Sequence, residues 1–74
     1  MKTLIIKAQK IEDLFLAMTV FNLNELVNIK FDYSGTDKTN IIIASYGLLT
    51  NATLKNRIKT INLLTSEKLE FKTL

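Results

Sequence analysis

The stretch TNATLKNRIKTINLL, residues 50–64, decides the fold of this chain. Read as a helix, it opens on Thr50 or Asn51 as a cap and sets Leu54, Ile58 and Ile61 on one stripe. Read as a strand, its second half RIKTINLL mixes polar and apolar residues on both faces, which suits a half-buried sheet poorly. The helix is the better reading, with the strand as the alternative.

Upstream, TNIIIASY (residues 39–46) is β-branched and strand-like. Its Ile41-Ile42-Ile43 run has no polar face, so a central strand covered on both sides, or covered by a partner, is expected. VNIKFDY (27–33) alternates: Val27, Ile29, Phe31 and Tyr33 against Asn28, Lys30 and Asp32. SGTDK (34–38) between them reads as a turn, with Gly35 free to take positive φ, and the two strands as a hairpin. Near the start, TLIIKA (3–8) is a short strand. Residues 10–22 form a helix whose core stripe is Ile11, Leu14, Phe15, Met18 and Phe21. Glu12 and Asp13 suit the positive end of its dipole, and Asn22 and Asn24 are left-handed exits. LEFKTL (69–74) closes the sheet. The order β-α-β-β-α-β predicts one α+β domain over residues 1–74, a two-layer sandwich. Its four-stranded, mainly antiparallel sheet has two helices on one face.

A chain of 74 residues buries only about 60–65% of its unfolded surface, so association or binding often adds stability. Cysteine and histidine are both absent. That removes disulfides, thiolate metal sites, thiol nucleophiles and the commonest general base. With two glycines in all, there is no Gly-rich phosphate loop. Glu12 and Asp13 diverge on a helix, and Asp32 and Asp37 flank a turn where acids are usually solvated. No enzyme activity, cofactor or metal is expected. The opening MKTLIIKAQK has too short an apolar run for a leader or a membrane span, which predicts a cytoplasmic protein with no membrane partner.

The first helix raises a second question. Leu16, Val20 and Leu23 lie opposite its core stripe, at i, i+4 and i+7. They are predicted to anchor a protein partner or a homodimer, unless Leu23 folds under the core. The net charge of +3 falls wholly in the last third of the chain. There Lys55, Arg57, Lys59, Lys68 and Lys72 are candidate phosphate contacts for a nucleic acid, the alternative partner. A solvated helix face is the plainer account of them, because Tyr33 and Tyr46 do not stand among them as stacking platforms.

VNIKFDYSG (27–35), NII (40–42) and ASYGLLT (44–50) resemble the middle of the histidine-containing phosphocarrier (HPr) family. There a strand, a Gly turn and a second strand lead into a Ser-containing segment that starts a short helix. The likeness implies that Ser45 is a counterpart of the family's regulatory serine. The family's phosphorylated histidine would fall at Lys10-Ile11-Glu12, so phosphotransfer is not implied. The family pattern also wants a strand near 57–64 and a final helix. A ferredoxin-like sandwich accounts for the element order equally well. The sequence reading is thus a small non-enzymatic regulator or inhibitor that acts by occlusion or scaffolding. Its composition suits a phage or another mobile element.

Overall fold

The computed structural model describes residues 2–22, 24–34 and 39–74. The chain runs β1 (Lys2–Ala8), α1 (Ile11–Val20), β2 (Val27–Ser34), β3 (Thr39–Tyr46), α2 (Asn51–Leu64) and β4 (Glu70–Thr73). The four strands form one antiparallel sheet in the order β2-β3-β1-β4. The expected α+β sandwich is the one observed, and residues 50–64 are helical. The Ser34–Lys38 turn falls largely outside the described residues.

The register sorts the sheet into two faces. Leu4, Ile6 and Ala8 of β1 lie level with Ala44, Ile42 and Asn40 of β3. The apolar members of these pairs are buried, together with Tyr46, Leu14, Ala17, Phe21, Leu54, Ile61 and Leu69. This is the core between sheet and helices, and each large side chain in it contributes about 1.5–3 kcal/mol of transfer free energy. On the other face Ile5 lies opposite Ile43 and Lys7 opposite Ile41. Ile41 and Ile5 are half-buried and Ile43 is exposed, so the central strand β3 is covered on one side only.

In α1 the structure corrects the predicted stripe. Leu14, Ala17 and Phe21 are buried with Asp13, whereas Phe15 is 50% exposed and Met18 is half-buried. Ala17 has no bulk to hold the helix off the core, so the helix turns this narrow side inward and carries Phe15 outward. Asp13 is only 3% exposed in the first turn, where its charge suits the dipole, and Ser66 donates to its Oδ2 at 3.4 Å. α2 begins as predicted. Thr50 is the N-cap and its Oγ1 accepts from the Thr53 N–H at 3.2 Å.

β2 departs from simple alternation. Val27 lies level with Ser45 and Lys30 with Ile43, so Asn28 and Ile29 together oppose Ala44. This is a β-bulge, and Asn28 at φ 55° occupies the left-handed region that Asn tolerates. Val27 therefore shares the open face with Ser45, while Phe31, level with Ile42, lies on the helix side. The expected single face of Val27, Ile29, Phe31 and Tyr33 is split by that one extra residue.

Candidate interaction surface

Among the described residues β2 has a strand beside it on one side only, and the surface next to its outer side is apolar. Phe31 is 43% exposed, and Phe15 reaches it from α1. Their ring centroids are 6.4 Å apart at 64°, an edge-on arrangement that favours aromatic pairs. Leu16 follows on the same helix at 39% exposed, and Ile29 is exposed at the bulge. A sheet edge flanked by half-exposed aromatic rings is chemistry suited to another polypeptide.

The opposite face of the same edge is charged. Lys30 lies level with Ile43 and Asp32 with Ile41. Among the described residues neither is in an ion pair. Crossing the sheet, the open face reads Lys30, Ile43, Ile5, Lys72 in one row and Asp32, Ile41, Lys7, Glu70 in the next. It has an isoleucine centre and a rim of both signs. Among the described residues no aromatic stacking platform lies there, since Phe31 and Phe71 lie level with Ile42 and Ile6 on the helix side.

The predicted anchors are dispersed differently from the expected stripe. Leu16 is at the surface, Val20 is half-buried against the core, and Leu23 lies outside the described residues. Phe15, assigned to the core stripe from the sequence, forms an exposed aromatic pair with Phe31 instead. The signal that would have found them is the competition of two apolar stripes on α1, with Ala17 on the narrower side.

The basic residues do not form one strip. Lys55 and Lys59 are exposed on α2, one turn apart. Arg57 between them is turned to Glu25, with Nε to Oε1 at 3.2 Å and Nη2 to Oε2 at 2.9 Å. That bidentate pair holds the Glu25 carboxyl below its ordinary range, through the Arg57 hydrogen bonds first and the Asn22 N–H second, against partial burial. It raises the Arg57 guanidinium in turn. Lys68 is exposed ahead of β4, and Lys72 shares the open face with Ile5. Ser45 is half-buried within β3, level with Thr3 and Val27, six residues before α2 begins. Asp37 lies outside the described residues, and among those described no three acidic side chains cluster as metal ligands. No described helix is long and apolar enough to cross a membrane.

No family model matches the chain, and no curated protein or solved structure matches it either.

Proposed function

We propose that this is a small non-enzymatic, cytoplasmic binding module that acts on another polypeptide chain by occlusion or scaffolding. The observation that carries the reading is the Phe15–Phe31 pair, two half-exposed rings beside the strand that ends the sheet. Binding there combines main-chain pairing along β2 with a desolvated aromatic anchor, the usual division between affinity and specificity in strand addition. Leu16 extends the anchor. The sheet order supports a ferredoxin-like split β-α-β sandwich as the scaffold. The phosphocarrier likeness in residues 27–50 brings no phosphotransfer with it. A regulator or inhibitor carried by a mobile element fits this reading.

The test is photo-cross-linking from two positions. A benzoylphenylalanine in place of Phe15 should yield a protein adduct that excess unlabelled chain competes away. The same group in place of Lys59 should yield none. Adducts at Lys59 with none at Phe15 would overturn the reading.

Lys55 and Lys59, exposed on one face of α2, favour the second reading, a nucleic-acid contact. With Arg57 held by Glu25 and Lys72 on the other face, this reading rests on two lysines and Lys68. Retention on nucleic acid should then fall steeply between about 50 and 200 mM salt, and Lys55→Glu with Lys59→Glu should abolish it. Retention unchanged by the double substitution ends that reading.

A further inference from the structure

The geometry points to a second copy of this chain as the occupant of the β2 edge, paired antiparallel about a two-fold axis through Phe31. This rests on the reading of that edge as a protein-binding surface and names the partner. The argument is charge complementarity. In an antiparallel pair of identical strands, facing residue numbers sum to a constant, and residues that face each other share a sheet face. Centred on Phe31, Lys30 of each copy faces Asp32 of the other, so two opposite-charge pairs form on the open face. On the helix side Phe31 meets Phe31 of the second copy, with Phe15 of each copy flanking the pair. Moving the centre by one residue either way sets Lys30 against Lys30 or Asp32 against Asp32. Like charges directly opposite are destabilising, so both neighbouring registers are disfavoured.

Three further observations fit this occupant. Lys30 and Asp32 face isoleucines within their own sheet, so neither charge has a charged cross-strand neighbour there. The bulge at Asn28 and Ile29 interrupts the flat edge, so the regular ladder starts at Lys30 and both Lys30 and Asp32 lie within it. An isologous contact of this kind also closes on itself as a dimer, in which two open faces join into one eight-stranded surface.

The experiment is a charge-swap cycle read by light scattering and sedimentation over a tenfold concentration range. Lys30→Asp and Asp32→Lys are made separately, together in one chain, and as a mixture of the two single variants. Each single variant should raise the dimer dissociation constant by about tenfold or more, because both symmetry-related pairs become like-charged. The mixture should pair, since one variant then presents two acids to the other's two bases. The double variant should dimerise as the unaltered chain does. Thermal melts confirm that all variants fold, as both side chains are exposed. A chain that is monomeric at every concentration overturns the inference. So does a dimer that ignores these swaps and responds to Glu70→Lys instead. A monomer that still cross-links from Phe15 to a different protein removes the second copy and leaves the binding surface standing.

Discussion

The sheet has two ends, and they carry the same three-residue device. β2 sets Phe31 between Lys30 and Asp32, and β4 sets Phe71 between Glu70 and Lys72. Everything around the two triplets differs. β2 is eight residues long and β4 four. Phe31 stands half-exposed with Phe15 beside it, whereas Phe71 packs against the core and lines a groove with Leu54 and Ile58 of α2. Glu70 already has Lys7 level with it across the β1 ladder, while Lys30 and Asp32 have only isoleucines. A pattern of charge, ring and opposite charge is therefore no site in itself. Strand length, the exposure of the ring and the company of the charges decide whether an edge is finished or open.

The comparison is sharpest when the two rings are removed in turn. Phe71→Ala should cost about 2–3 kcal/mol of folding stability, read as a lower urea midpoint, and leave association unchanged. Phe31→Ala should cost only about 1 kcal/mol of stability and raise the dimer dissociation constant by about tenfold, measured by sedimentation. If the two substitutions trade effects, the assignment of an open and a closed edge is reversed. Thr50→Ala removes the cap of α2, the helix that shares the groove beside β4. It should lower stability by about 1 kcal/mol and the thermal midpoint by about 4–8 °C, with no effect on association.

The smallest effect concerns the loop that leads into β2. Glu25 joins that loop to Arg57 of α2, and no ion pair among the described residues does the same for β4. The Glu25 carboxyl is held below its ordinary value of 4.5. The pair's contribution is thus complete above 4.5 and is lost as pH falls through the depressed folded value. The Glu25→Gln variant should melt a few degrees below the unaltered chain at pH 7. The two melting curves should converge in acid, with Arg57 charged throughout. A gap that persists in acid would mean that Glu25 acts through packing rather than through its charge.

Much of the scaffold was legible because its signals are local. The β-branched run in residues 39–46, the stripe Leu54-Ile58-Ile61 and the Thr50 cap each fit within a dozen residues, and the strands and helices formed where these placed them. The parts that misled depend on distant partners. Asp13 is buried beside Ser66, and Arg57 is held by Glu25 from another element. Neither pairing leaves a trace in spacing. The rotation of α1 follows from the same difficulty: a helical wheel weighs Phe15 above Ala17, but close packing rewards the small side chain. The bulge in β2 carried no glycine to announce it, only Asn28. The candidate surface was accordingly half visible, with Leu16 read as exposed and Phe15 assigned to the interior.

In the proposed pair the four residues of β4 would set a limit on size. Two copies joined along β2 would still point both β4 strands outward, each bearing a triplet that could seed another ladder. A sheet able to grow at both margins becomes a fibre, and one whose second margin offers too short a template stops at a pair. By that measure β4 would act as a terminator of the proposed pair, its brevity keeping such an assembly finite.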